Sequence, residues 1–390
     1  MLSLIHTLPL AYMIGLGLAA AASAYLVLAI VRLATSRFAP EPARDFHPPV
    51  TVLKPLCGNE PELYSCLRSF CDQDYPEYQV IFGVVDPADP AINVVRRLIS
   101  EFPDRDLALV VDPAVHGTNL KIANLINMDR ATKHGIVVIS DSDTRVARDC
   151  LRRVVAPLAH PATGAVTCLY KAAPAKGFAS QLGALFINDW FLSSAVVDAR
   201  MREIAYCFGP VSAVRRDALD AIGGLPGLAN HLADDFMLGR TIRAAGYQVA
   251  LSSYVPDTVV AEDLRSLLSH ELRWARTVRA VKPGEHFMSV VTEPLPLLLA
   301  LLLPYPALGG WVVLGAVVTL RVMLHYLLRA RFDIAPPPCP WLLPLRECLC
   351  FAIWMASFLG ATVQWRQRDF TIGAGGRLIP APSRSSGGGA

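Results

Sequence analysis

The chain has 390 residues, of which 53% are hydrophobic and 18% charged, and its formal net charge is +3. That length suffices for one large domain plus membrane segments. The small charge excess, without a Lys/Arg block, excludes a nucleic-acid partner. Nine cysteines, with no C-x-x-C pair among them, lack zinc-site spacing and read as reduced thiols.

The first predicted element is apolar. Pro9 to Val31 has no charged residue, and as a helix it is long enough for about 30 Å of hydrocarbon. No Lys or Arg precedes it, and the run exceeds a normal signal-peptide core, so residues 1–34 read as an anchor that is retained. Arg32, Arg37 and Arg44 follow. The positive-inside rule then puts residue 35 onward in the cytosol, on a multi-pass protein of the cell inner membrane.

Residues 45–285 alternate between strand and helix signals. Val50–Leu56 is predicted as a strand and Glu60–Cys71 as a helix. Tyr78–Val85 is a strand ending at Asp86, and Ala91–Phe102 a helix. Leu107–Val111 is a strand, Leu120–Thr132 a helix, and Ile136–Ser140 a strand ending at Asp141. This alternation predicts an α/β domain with a mostly parallel, helix-covered sheet. Ligands of such sheets sit beyond the carboxyl ends of the strands, where Asp86, Asp89, Asp141 and Asp143 all fall. Neither G-x-G-x-x-G nor G-x-x-x-x-G-K-[ST] is present, so any phosphates must be held by side chains and metal.

Residues 286–368 are apolar again and predict two or three crossings. Phe287–Leu303 carries only Glu293, Pro304-Tyr305-Pro306 and Gly309-Gly310 interrupt, and Ala307–Leu328 and Cys348–Trp365 follow. Two topologies fit. Three crossings, with the Pro/Gly segment as an outside turn, place Arg329, Arg331 and Arg346 in the cytosol and the tail outside. One long kinked crossing over Pro294–Leu320 reverses both. The turn-like prolines and glycines favour the first. The tail, 369–390, ends in a Ser/Gly-rich stretch expected to be disordered in part.

Four clusters carry chemistry. Asp141-Ser142-Asp143 follows a buried-type strand, Ile136 to Ile139. Such paired carboxylates suit Mg²⁺ or Mn²⁺ bridging a nucleoside diphosphate, although most isolated D-x-D sequences are solvated turns or caps. Asp86 and Asp89 sit in Val-Asp-Pro-Ala-Asp-Pro, where turn and capping chemistry is compatible with accepting a hydrogen bond from a nucleobase. Asp234-Asp235 precedes the helical spacing of Phe236–Ala245. This is either an acidic first turn or a general base, for which Asp235 is the preferred candidate. His270-Glu271-Leu272-Arg273-Trp274 reads as a membrane-proximal amphipathic helix, together with Arg276, Arg279 and Lys282. Equally, Arg273 suits a diphosphate and Trp274 an apolar acceptor wall. Lys121 and Asn124 open a helix and face either donor or solvent.

These motifs resemble the ceramide glucosyltransferase family of inverting, nucleotide-sugar-dependent glycosyltransferases. The likeness runs over nearly the whole chain: Val52-Leu53-Lys54-Pro55-Leu56, Asp74-Tyr75-Pro76, Asp89-Pro90-Ala91-Ile92, Lys121-Ile122-Ala123-Asn124, Asp141-Ser142, Asp235-Phe236-Met237, Arg273-Trp274 and Arg346-Glu347. Within the family the chain is most similar to the bacterial hopanoid-associated branch, which places N-acetylglucosamine on bacteriohopanetetrol. The resemblance implies a GT-A fold inserted between N-terminal and C-terminal transmembrane helices. It also implies three key aspartates and a (Q/R)-x-x-R-W motif, falling on Asp89, Asp141, Asp235, and Arg273 with Trp274. His270 departs from the motif's first position, where Arg276 is a candidate to supply the missing charge. Asp143 completes a D-x-D where the eukaryotic enzymes have Gly.

The expected reaction is transfer of one sugar from a UDP-sugar to a lipid hydroxyl in the bilayer. Asp86, Asp89, Lys121, Arg273 and Trp274 bind substrate, Asp141 and Asp143 hold Mg²⁺ or Mn²⁺, and Asp235 is the base. The acceptor enters from the membrane side along Trp274 and the apolar Ala184–Val197 stretch. The alternatives are a ceramide glucosyltransferase using UDP-glucose, a processive polysaccharide synthase, and a non-catalytic scaffold.

Overall fold

The computed structural model describes residues 9–35, 46–201, 203–261, 263–302, 304–305, 308–335, 339–365 and 368–380. Ten strands build the α/β half: β1 Val50–Pro55, β2 Tyr78–Val84, β3 Asp106–Val111, β4 Ile136–Ser140, β5 Thr144–Arg145, β6 Thr163–Thr167, β7 Lys171–Pro174, β8 Val211–Arg215, β9 Gln248–Leu251 and β10 Asp257–Val260. Seven form one sheet in the order β3-β2-β1-β4-β8-β6-β9, while β5, β10 and β7 form a small second sheet.

The central strands are mostly apolar because helices cover both faces. All residues of β1, β2 and β4 are buried, and each fully buried Val, Leu, Ile or Phe stabilises by about 1.5–3 kcal/mol. The β3-β2-β1-β4 half is parallel, as the βα alternation predicts. The second half departs from it, because β8 runs antiparallel to both β4 and β6. At Gly83, a Cβ would lie 2.3 Å from Met128 Sδ and 2.5 Å from Asn124 Oδ1. Only glycine lets the Leu120–Asp129 helix approach β2 so closely, and Asn124 Nδ2 uses the gap to bond the Gly83 carbonyl at 2.8 Å.

The helical half differs more from its sequence reading. Leu10–Thr35, Phe178–Ala199 and Leu308–Phe332 are each long and apolar enough to cross a membrane, and a fourth unit, Pro283–Thr292 with Leu295–Leu302, is bent by 62°. Phe178–Ala199 is mostly enclosed by protein. It contains a π-turn at Phe186–Phe191, and Asn188 there makes two bonds to the Ala172 backbone of β7. Tyr12 lies against Gly309 and Gly310 at one end of the bundle. At the other end Lys171 Nζ donates to the carbonyls of Phe332 and Asp333, at 2.9 and 2.8 Å. Gly309 and Gly310 therefore lie at the end of the bundle remote from the α/β half.

The run Cys348–Trp365 does not form one helix. A helix covers Leu343–Ser357, and Gly360, at φ +102°, then lets the chain turn into strand β11, Thr362–Trp365. With β12 (Arg368–Ile372) and β13 (Leu378–Pro380), β11 makes an antiparallel sheet. Part of the expected tail is thus folded, while Ser383–Ala390 lies outside the described residues. Val363, Phe370 and Leu378 bury against Leu232. Leu232 N bonds Gly376 O at 3.0 Å, and Leu378 N bonds Asn230 O at 2.9 Å. This sheet therefore packs on the loop that leads into Asp234-Asp235.

Candidate active site

Asp141 sits immediately past β4, fixed from below by Lys54. That lysine is fully buried within β1 and donates to Ser140 Oγ at 3.2 Å and to the Asp141 carbonyl, with its ammonium 4.1 Å from the Phe70 ring centre. Burial lowers its pKa to about 8, against the opposing pull of nearby acidic groups including Asp143 and Asp141. A lysine in the run Val-Thr-Val-Leu-Lys-Pro-Leu was legible as an anomaly, because a buried ammonium needs partners.

The carboxylates meet around Lys121 and Gly209. Lys121 Nζ lies 2.7 Å from Asp141 Oδ1 and 3.2 Å from Asp234 Oδ2. Burial alone would lower the lysine pKa, but Asp141 and Asp234 outweigh it and the net shift is upward. An ideal Cβ on Gly209 would stand 3.1 Å from Asp141 Oδ2 and 3.3 Å from Asp235 Oδ2. The two carboxylates thus flank one small gap that a larger residue would fill. A cavity lined by Lys121, Gly209, Ser212, Asp234 and Asp235 opens here.

Local structure explains why these groups converge. Asn119 caps the Leu120–Asp129 helix through Ile122 N at 3.0 Å, which starts Lys121 in the first turn. The same Asn119 donates to His231 O at 2.8 Å, tying that helix start to the loop before Asp234. Asp234 and Asp235 begin the Asp234–Ala244 helix, where the partial positive charge of the helix start favours acidic side chains. Asp235 Oδ1 accepts from Phe236 N at 2.7 Å. Burial, then the Asp234 charge, nevertheless pushes Asp235 up to about 7.

Asp143 is also pushed up to about 7, by burial and then by Asp141 and Glu60. Its Oδ1 is enclosed and has no hydrogen-bond partner among the described residues. Glu60 joins this corner because its Oε2 accepts from Ser142 Oγ at 2.6 Å. The sequence reading used Glu60 only as a helix start, yet the helix begins at Leu63 and leaves it free to reach Ser142. Tyr170 was also missed, and no sequence signal marks it. Its phenol is raised by burial and then by the charges of Asp235, Asp143 and Asp141.

Asp89 and Asp86 order the neighbouring loops. Asp89 accepts from Gly58 N at 2.8 Å and from Ala91 N at 2.9 Å, pinning the turn after β1 and starting the next helix. Asp86 is exposed and accepts from Ala88 N at 2.8 Å. Both lie past β2, one strand removed from β4. Arg273 and Trp274 come from a separate element, the Leu264–Val281 helix. Trp274 stacks on Phe186 with centroids 6.1 Å apart and meets His270 at 4.2 Å. Leu267 of this helix and Val260 of β10 both press on Gly183, while Val259 N bonds the Asp143 carbonyl at 2.9 Å. Arg276 turns away to the carbonyls of Leu359 and Thr362, so it does not replace the charge missing at His270.

No group of three or more His, Cys, Asp and Glu side chains is spaced to hold a metal by itself among the described residues. The pair Asp141 and Asp143 fits a cation whose other ligands come from a phosphate and water, the usual arrangement for Mg²⁺. The unpartnered Asp143 Oδ1 supports that fit.

Comparison with known proteins agrees with this architecture. The profile of glycosyl transferase family 21 matches residues 15–378. Ceramide glucosyltransferase 1 of Caenorhabditis elegans is 26% identical over 85% of this chain and 73% of its own length. An N-acetylglucosaminyltransferase of Rhizobium meliloti is 26% identical over 59% of this chain and 55% of its own. Among solved structures, the mannosyltransferase PcManGT of Pyrobaculum calidifontis, in complex with GDP-Man and Mn²⁺, matches with a TM-score of 0.57. It is 22% identical, over 90% of this chain and 99% of its own.

Proposed function

The chain belongs to glycosyl transferase family 21, and from that premise we propose that it moves a single sugar from a UDP-sugar to a lipid hydroxyl, with inversion at the anomeric carbon. The single observation that carries this reading is the pair of carboxylates, Asp141 and Asp235, facing each other across Gly209. In this reading Asp141 serves the donor diphosphate and Asp235 the acceptor.

In this reading Asp235 takes the proton of the acceptor hydroxyl. The new oxygen–carbon bond forms on one face of the sugar as the bond to the diphosphate breaks on the other. A carboxyl group raised to about 7 is a stronger base than an ordinary aspartate and is still ionised in useful amount near neutrality. Asp141 and Asp143 hold a divalent cation, Mg²⁺ or Mn²⁺, which when bound supplies charge neutralisation to the departing diphosphate. Arg273 adds a guanidinium fork to the same phosphates, Asp89 and Asp86 frame the nucleoside, and Lys121 bonds the donor from the cavity floor. Trp274 and the apolar Ala184–Val197 stretch guide the lipid. The catalytic domain faces the cytoplasm, where nucleotide sugars are made, on the inner membrane of the cell.

For donor and acceptor we propose UDP-N-acetylglucosamine and the bacteriohopanetetrol side chain of a hopanoid. The resemblance to the hopanoid-associated branch and the likeness to a rhizobial N-acetylglucosaminyltransferase support this pair. Longer coverage by the nematode ceramide glucosyltransferases favours the second reading, UDP-glucose to ceramide. Purified protein, offered each UDP-sugar with each lipid and analysed by mass spectrometry, separates them. A lipid carrying one N-acetylhexosamine is the expected product. A glucosylceramide selects the second reading, and a polymer or no UDP release defeats both. Asp141→Ala weakens donor binding and metal response together, and full activity in excess chelator removes the cation from this scheme.

A further inference from the structure

The Leu343–Ser357 helix is built inside out. Its enclosed side carries Arg346, Glu347, Cys350 and Ser357 beside Leu343. Arg346 is wholly buried, 2.5 Å from Glu271 Oε2, with further bonds to Leu182 O and Cys350 Sγ. Glu347 faces Arg321 at 3.5 Å and accepts from Leu295 N at 2.7 Å. The outward side reads Trp341, Leu345, Cys348, Ala352, Met355, Leu359, all exposed and none charged. Steps of three and four make this one stripe. Trp341 is 71% and Leu359 78% accessible.

A helix facing water hides its apolar stripe and shows its charges. This one does the reverse, which is stable where the surrounding medium is hydrocarbon. Yet fifteen residues rise only about 22 Å, short of the ~30 Å needed to cross. Both flanks also return to the same side. Lys171 of β7 holds the end of the preceding long helix at Phe332 and Asp333, and the β11–β13 sheet that follows bonds the loop at Asn230 and Leu232. Phe287 and Met288, 59% and 62% accessible, extend the apolar face, with the Phe287 ring 6.3 Å from that of Trp354.

We propose that Trp341–Leu359 lies within one leaflet, parallel to the membrane plane, on the side of the catalytic domain. The occupant of its outer stripe is lipid acyl chain, and the C-terminal sheet stays on the catalytic side. The bilayer is then crossed by Leu10–Thr35, by the bent Pro283–Leu302 unit and by Leu308–Phe332, with no crossing among the described residues after Phe332. This holds whichever sugar or lipid the enzyme uses.

Two measurements on the full chain test it. Epitopes placed after Ala390 and in the exposed turn at Asp104 are challenged with protease in sealed vesicles of either orientation. The two should be cut together or protected together; opposite behaviour overturns the proposal. Tryptophan emission is then measured in vesicles of phospholipid brominated at shallow or deep acyl positions, for the wild type and Trp341→Phe. The difference assignable to Trp341 should be quenched more strongly by shallow bromine. Absence of quenching by either lipid overturns the proposal, and a dimer found by sedimentation would then identify a second copy as the cover.

Discussion

Two groups of enclosed charges lie in this molecule, and they are balanced differently. In the helical half three acids meet a base: Glu271 with Arg346, Glu347 with Arg321, and Asp189 with His325 at 2.6 Å, while Oε2 of the buried Glu293 has no hydrogen-bond partner among the described residues. In the catalytic half Asp141 and Asp234 share Lys121, with Asp143 and Asp235 beside them in the chain, while Lys54 lies beneath, bonded to backbone and Ser140. Buried charges are retained at reasonable cost only when paired. The first group is therefore held mainly by one-to-one pairs. The second has surplus negative charge, which adds to burial in raising Asp143 and Asp235 to about 7 and suits a cation bound together with the donor.

The contrast can be broken by substitution. Asp235→Asn should give the largest change, lowering transfer by about 10²–10⁴-fold while donor affinity, read by titration with UDP-sugar, moves little. Near-normal transfer by this variant would dismiss Asp235 as the base. Arg346→Met should instead destabilise, by about 3–5 kcal/mol, because it strands Glu271; a melting curve in detergent reads this, and an unchanged midpoint contradicts a tight pair. Leu378→Ala, at the C-terminal sheet, should cost about 2–5 kcal/mol in local packing. If the sheet holds the Asp235 loop, turnover falls more than donor affinity, and Leu378→Ile restores it. The smallest effect is on pH. The working form of Asp235 is the carboxylate, so turnover should climb with pH up to about 7 and then level. Asp234→Asn removes a neighbouring negative charge, lowers the Asp235 pKa and moves that limb to lower pH. A limb that stays put means another group controls it.

Much of this was legible in the residues. The β1, β2 and β4 strands announced themselves as short, largely apolar runs, and the acids at the ends of β2 and β4 fell where a parallel sheet places ligands. The antiparallel strand β8 did not, because Val-Ser-Ala-Val-Arg is short and carries no sign of direction. The convergence of Lys121 with Asp234 was also hidden, since it depends on Asn119 reaching a distant loop. The run Cys348–Trp365 misled most. Hydropathy counts apolar residues but not the direction they face. Arg346 and Glu347, just ahead of the run, were buried within the helix instead of marking its watery edge.

The bonds from Leu232 and Asn230 to Gly376 and Leu378 also bear on biosynthesis. The loop carrying the proposed base finds these partners only after Gly376 and Leu378, far downstream in the chain, have left the ribosome. At ordinary translation rates that interval is on the order of ten seconds. During it the α/β half can assemble its sheet, but the loop lacks its C-terminal partners. The loop of the proposed base in a nascent chain thus reaches its final set of backbone bonds only once strand β13 has docked.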